Sequence, residues 1–345
     1  MKTFKRVMAI VLCLAMVLSF AACGKKDDNN KTDEPKPVEA IVLKASSPAA
    51  GDAAWGLALE MMAKQIEEKT QGRYKVDVYH KCALSENSEK VMTEQVYTGT
   101  LDICITPASL ASSIWSAFSV PFQFLNREHI YKVLKSDVVA EMSKTMEDKG
   151  MTVLALVENG YRQITNNKHE IKVPADTKDV KLRTPQAKSS IDIAEKMGFQ
   201  TVAISAGELF QALQQGTADG QENALNTIYA NKYYEVQKYL TVVNYNWSPA
   251  LFGINADLYA EMSAEDQKIF AEVFASVADW ANKKMAEEDT QYIDKLKAAG
   301  MEVYVCTDAD LDIWRAQMAG SESIYTDTVG AELMAKFTKT VNDLK

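Results

Sequence analysis

From Ile41 onward the chain alternates short strand-like runs with helical periods closed by glycine, and this alternation constrains the fold more than any other feature. Ile41 to Ala45 suits a first strand. Trp55, Leu59, Met62 and Ile66 then recur at helical spacing, and Gly72 stops that helix. Lys75 to Tyr79 alternates at period two, as a strand with one buried face does. Residues 89–97 read as a second helix with Gly99 behind it, and Leu101 to Ile105 as a buried strand. The same grammar returns at Met151 to Val157, Val180 to Arg183, Ile191 to Met197 and Thr201 to Ile204. This βαβα order predicts an α/β fold with a parallel sheet and helices on both faces. With 345 residues and no internal repeat, two lobes are expected rather than one.

Two helix starts carry their own chemistry. Ser205 and Glu208 have capping-box spacing ahead of Leu209 to Leu213. The Ser205 hydroxyl is expected to accept from the Glu208 amide while the Glu208 side chain returns to the Ser205 amide. Residues 263–299 stand apart. Ser263 is a good N-cap, Phe270, Phe274, Val277 and Trp280 keep an apolar stripe, and Gly300 marks the end. A helix of roughly 36 residues is about 54 Å long at 1.5 Å per residue, more than one lobe. It is expected to lie across both lobes or to contain a break.

The first residues read as an export signal rather than as part of the fold. Lys2, Lys5 and Arg6 precede an apolar run from Val7 to Phe20, too short to span a membrane, and Ala21-Ala22-Cys23 follows. Small residues before a cysteine look like a bacterial lipobox, which makes residues 1–22 a lipoprotein signal peptide and Cys23 the lipidated residue. The alternative is a cleaved signal with an incidental cysteine. Residues 23–40 are polar and lack apolar periodicity, as a flexible tether does. Loss of the three signal cations moves the net charge from −9 to −12, which argues against nucleic acid as a partner. Any anion site must therefore be built locally. Cys82, Cys104 and Cys306 are an odd set without zinc spacing, expected to be free, although a Cys82–Cys104 disulfide is open to an exported chain.

Enzyme signatures are missing. There is no G-x-S-x-G elbow, phosphate loop or H-E-x-x-H, and His80, His129 and His169 are far apart. His169-Glu170 begins like a zinc motif, but Val173 stands where the second histidine belongs. No catalysis, metal or cofactor is expected.

The informative stretch is 160–223. Arg183 lies at the carboxyl end of an expected strand, where ligands of open α/β sheets bind. Its guanidinium fork matches a carboxylate bidentately. Arg162, near another strand–loop junction, could add a second cation, and the Asn223 amide can donate or accept. The competing reading makes both arginines surface salt-bridge residues. Tyr161 and Trp247, with Phe122 and Trp115, are candidate apolar walls or simply core.

These residues fall in a recognisable pattern. Arg162-Gln163-Ile164-Thr165, Pro174 to Pro185 and Leu213 to Asn223 resemble the R-Q-x-T, P-A-D-x-K-x-x-K-x-R-x-P and L-Q-Q-G-x-x-D-G-Q-E-N segments of the substrate-binding subunits of TRAP transporters, the DctP-like family. Glu89-Lys90, Glu94-Gln95, Gly99 to Asp102 and Val120 to Phe124 continue the resemblance, as does the long helix at 263–299. Ala224, Leu84 to Asn87 and Asn244-Tyr245 depart from the family pattern. The resemblance implies a periplasmic-binding-protein-like fold of two lobes and a hinge. Lobe I would cover 41–158, completed by about 247–280, and lobe II 159–246, completed by about 281–345.

It also implies that Arg183 pairs with a ligand carboxylate, that Arg162 and Asn223 supply the other polar contacts, and that a C4-dicarboxylate or related carboxylate or sugar acid is captured by lobe closure. A monomer, held to the outer face of the membrane by its lipid, would deliver this organic anion to a small and a large integral-membrane subunit. Other readings are a component of an ABC importer, a receptor sensor and a secreted α/β hydrolase.

Overall fold

The computed structural model describes residues 39–186 and 188–345. The signal peptide, Cys23 and nearly all of the 23–40 tether lie outside the described residues. In chain order the strands are β1 (Ile41–Ser46), β2 (Tyr74–Tyr79), β3 (Ile103–Pro107), β4 (Met151–Asn166), β5 (Lys181–Thr184), β6 (Gln200–Ala203), β7 (Gly220–Ala224), β8 (Tyr239–Val242), β9 (Trp247–Asn255) and β10 (Glu302–Val305). The helices that matter for the site are α1 (Ala54–Lys69), α2 (Glu89–Tyr97), α3 (Arg127–Leu134), α4 (Lys188–Met197), α5 (Leu209–Gln214), α6 (Leu225–Ala230) and α7 (Ala264–Ala298).

The strands lie in the order β2-β1-β3-β9-β4-β7-β5-β6, with β8 beside β4 and β10 beside β8. The α/β fold is as expected, but the sheet is mixed rather than parallel. β1 is parallel to β2 and β3, and β5 is parallel to β6 and β7. β9 enters antiparallel between β3 and β4, and β4 runs antiparallel to β7 and β8. All nine residues of β9 are buried, so it has no period-two signature to announce it.

β4 links the two lobes. Its residues Met151 to Tyr161 pair with β9, and Arg162 to Asn166 pair with β7. A register shift falls between Glu158 and Gly160, where Gly160 has φ +104°, a conformation that only glycine takes readily.

α7 is continuous over 35 residues, and Ser263 Oγ accepts from the Asp266 amide at its start. Its first half buries Phe270, Phe274, Val277 and Ala281 in the core under β1, β3 and β9. Near its end Leu296 joins a separate core with Leu209, Leu225 and Tyr233. The helix thus lies across both lobes. The last two helices, Glu322–Val329 and Ala331–Asp343, turn back onto residues 113–144: Phe337 meets Phe118 at 4.7 Å, and Tyr325 Oη donates to Ser119 O at 2.9 Å.

One local expectation is corrected. Ser205 does not cap through the backbone; its hydroxyl donates to the Glu208 carboxylate at 2.5 Å, and a 3-10 turn over Ala206–Glu208 leads into α5. Two exposed side chains close enough to pair directly leave the amides to the tighter turn. Cys82 and Cys104 are buried free thiols, and Cys306 is free and half-buried. His169 pairs with Asp179 and His80 with Glu60, each at 3.0 Å, while His129 is buried and accepts from the Leu125 amide. No cluster that could hold a metal occurs among the described residues.

Candidate solute-binding site

β5 is the middle of three parallel strands, so the carboxyl ends of β5, β6 and β7 point the same way. Arg183 sits at that end and is only 3% exposed. Its Nε donates to Ile204 O at 2.8 Å, which fixes one edge of the guanidinium. Among the described residues no carboxylate pairs with it. Burial pushes this cation below the ordinary arginine range; Glu222 pulls it back and Arg162 pushes it further down. A buried guanidinium without an anion is expensive to hold in an apolar setting, and a carboxylate on its free edge would relieve that cost.

Arg162 is placed beside Arg183 but is already occupied. Its Nε and Nη2 grip the Glu222 carboxylate, Nη2 to Oε1 at 2.8 Å, and Nη2 also donates to Glu222 O at 2.8 Å and Asn223 Oδ1 at 3.1 Å. The register brings this about: Arg162 faces Ala224 and Ile164 faces Glu222, so Arg162 and Glu222 are diagonal neighbours on paired strands. Burial opposes the Arg162 charge, but Glu222 more than offsets it and holds the proton above the ordinary arginine range. Tyr245 Oη donates to the other Glu222 oxygen at 2.6 Å, so the acid serves an arginine and a phenol together. Asn223 donates through Nδ2 to Gln221 Oε1 at 2.6 Å. The arginine–asparagine set expected from sequence is therefore assembled, with Glu222 and Tyr245 as its unanticipated supports.

Tyr161 and Trp247 are register partners across β4 and β9. Tyr161 is half-buried beneath the Arg127 guanidinium, 5.3 Å from ring centroid to Cζ. Trp247 is fully buried between Phe118 and Phe124, with ring centroids 6.0 and 6.2 Å away, and its indole Nε1 has no hydrogen-bond partner among the described residues. Arg127 itself is bidentate on the fully buried Glu158, with Nη2 to Oε1 at 2.8 Å, and also holds Asp289 of α7. This ionic knot sits at the β4 register shift, where Asn282 of α7 accepts from the Glu158 amide.

Sequence reasoning missed a further acid within the fields of the two arginines. Glu89 is the first residue of α2, just after the Ser88 N-cap, and its carboxylate feels both Arg162 and Arg183. Burial pushes it above the ordinary carboxylate range, and the two arginines pull it back. Tyr233, 4% exposed, also lies within the fields of Arg183 and Glu89. Nothing in the linear order of the chain signals that Glu89 lies within the fields of these arginines.

Comparison with known proteins follows the same lines. Residues 45–325 match the family model for bacterial extracellular solute-binding protein, family 7, DctP. A solute-binding protein of Verminephrobacter eiseniae is 35% identical over 251 residues, covering 72% of this chain and 74% of that one. The 2,3-diketo-L-gulonate-binding periplasmic protein of Escherichia coli K12 is 29% identical over 80% of each chain. The solved structure of a TRAP periplasmic solute-binding protein from Polaromonas sp. JS666, bound to D-erythronate, superposes with a TM-score of 0.79 at 30% identity, covering 86% of this chain and 98% of that one. With its mixed sheet, lobe-spanning helix and buried arginine pair, this chain belongs to the DctP family of TRAP solute-binding proteins.

Proposed function

We propose that the chain is the extracytoplasmic solute-binding subunit of a TRAP-type transporter and that it captures a small organic acid on Arg183. The observation that carries this is the buried Arg183 guanidinium at the carboxyl end of β5, tethered by one nitrogen and paired with no carboxylate among the described residues. The ligands of two relatives, 2,3-diketo-L-gulonate and D-erythronate, are both acids and support the same reading.

The acid docks on the open edge of Arg183, with Arg162 and Asn223 contributing hydrogen bonds and Tyr161 and Trp247 backing the site. Lobe I covers 41–158 with 247–280, and lobe II covers 159–246 with 281–345, the C-terminal helices clasping back over the divide. Closure turns on β4 near Gly160 and on α7, expels water and so strengthens the ion pair. The closed form is then handed to a small and a large membrane subunit. Residues 1–22 act as the signal, Cys23 takes the lipid, and 23–40 tether a monomer to the outer face of the membrane.

A thermal-shift screen of organic acids tests the capture step. An acid present at about 100 times its Kd stabilises the fold by about 2.7 kcal/mol. A panel of mono- and dicarboxylates from three to nine carbons that leaves the melting temperature unmoved would remove organic-acid capture from consideration.

A further inference from the structure

Arg127 is one cation held by two acids. It opens α3, where Asn126 Oδ1 accepts from the His129 amide at 2.9 Å. Its Nε lies 3.0 and 3.1 Å from the two Glu158 carboxylate oxygens and its Nη2 2.8 Å from Oε1, and Nη2 also donates to Asp289. Glu158 is fully buried and by itself neutralises the guanidinium. Asp289 is therefore a surplus carboxylate in a largely enclosed place, its side chain 27% exposed. Burial pushes it above the ordinary carboxylate range, and Arg127 pulls it back. The fold keeps this acid although the charge of Arg127 is already matched without it.

The course of α7 shows what Asp289 is attached to. Asn282 Oδ1 accepts from the Glu158 amide at 2.6 Å, and its Nδ2 donates to Leu156 O at 3.3 Å. Met285 Cε lies 3.9 Å from where a Cβ on Gly160 would stand. Asn282, Met285 and Asp289 follow at spacings of three and four, so one face of the helix runs from the β4 bend to the Arg127 guanidinium. From Asn282 to Asp289 is about 10 Å along the axis at 1.5 Å per residue. Any rotation about the bend is levered into a displacement of Asp289 relative to α3. In the lobe division proposed above, Arg127 and Glu158 belong to lobe I and Asp289 to lobe II. The Arg127–Glu158 pair thus lies within one lobe, and the Arg127–Asp289 pair crosses between two.

We infer that Arg127 and Asp289 form an interlobe latch: Glu158 fixes the guanidinium in lobe I, and its outer nitrogen captures Asp289 when the lobes shut, so that the pair favours the closed form. The inference rests on the lobes and the hinge closure proposed above. A static support would change the stability of the fold; a latch changes the balance between open and closed chains.

Paired spin labels read that balance. Lys64→Cys on α1 and Lys188→Cys on α4 carry them, at side chains 77% and 85% exposed, with Cys23→Ser and Cys306→Ser in the background. The label-to-label distance is measured on the mature chain without acid and across a titration with D-erythronate. Asp289→Asn is expected to fold, because Glu158 still matches Arg127. It is expected to lower the ratio of short to long distances about 10-fold at each concentration below saturation, the weight of one hydrogen bond to a charged group. Asp289→Glu keeps the charge and is expected to stay near wild type. Equal ratios in wild type and Asp289→Asn, or a loss as large in Asp289→Glu, overturn the latch while a distance that shortens with acid leaves closure standing. A single distance in wild type, unmoved throughout, overturns the closure reading and the latch with it.

Discussion

Arg162 and Glu222 lock each other by a two-point ion pair, and in doing so they leave Arg183 as the open cation at the site. Two guanidiniums sit near one another, yet only one has its charge available. A ligand acid is therefore steered to β5 rather than to β4, and the neighbouring arginine becomes a hydrogen-bond donor of fixed orientation.

Arg183→Ala is expected to fold normally, because the wild-type side chain makes a single hydrogen bond among the described residues. It is expected to lose about 3–5 kcal/mol of acid binding, since the ligand charge is then buried without a partner. Calorimetry with the tightest acid from the screen, alongside circular dichroism to confirm the fold, measures both halves. Unchanged affinity in a folded variant would place the acid elsewhere.

Glu222→Gln should damage the protein itself. It leaves Arg162 buried and charged, at a cost of about 3–5 kcal/mol. Tyr245→Phe removes one hydrogen bond to the same carboxylate and should cost less, about 1.5–3 kcal/mol. Because both act through Glu222, the double variant should fall short of the sum. Urea unfolding of the four proteins gives the cycle; strict additivity would mean that the three residues do not act together.

The Arg127 knot allows a comparison of buried and exposed pairs. Arg127→Ala strands Glu158, which has no exposure, and should cost about 3–5 kcal/mol. Lys132, whose side chain is 53% exposed, pairs with the 79% exposed Glu128, and Lys132→Ala should stay within about 1 kcal/mol. Equal losses in urea melts would contradict the assignment of the first pair as an interior support of the β4 bend.

Glu89 gives the stability a pH dependence of defined sign. Burial, partly countered by Arg162 and Arg183, makes the folded chain hold this proton more tightly than the unfolded chain does. Its stabilising contribution is complete below the unfolded value of about 4.3 and is lost as pH rises through the higher folded value. Relative to wild type, Glu89→Gln should gain stability as pH rises across that window. Chemical denaturation from about pH 4 to about pH 8 follows the difference; a gain as pH falls instead would show that the fold favours the ionised acid.

What the sequence determined by itself was whatever local spacing can encode. The α/β alternation, the 35-residue helix with its Ser263 cap and the position of Arg183 at a strand end all rest on neighbours within a few residues. The DctP pattern between Arg162 and Asn223 was legible because its residues lie within three short segments. Tertiary structure decided the rest. β9 inserts antiparallel as a strand buried on both faces, and such a strand carries no alternation to read. The pairing of Arg162 with Glu222, 60 residues away, depends on the β4–β7 register. That Glu89 falls within the fields of Arg162 and Arg183, 73 and 94 residues further along the chain, is likewise set by the tertiary fold. Sequence supplied two similar arginines; only their surroundings made one a structural ion pair and the other a free binding charge, because a charge is available only when no nearer counter-charge has taken it.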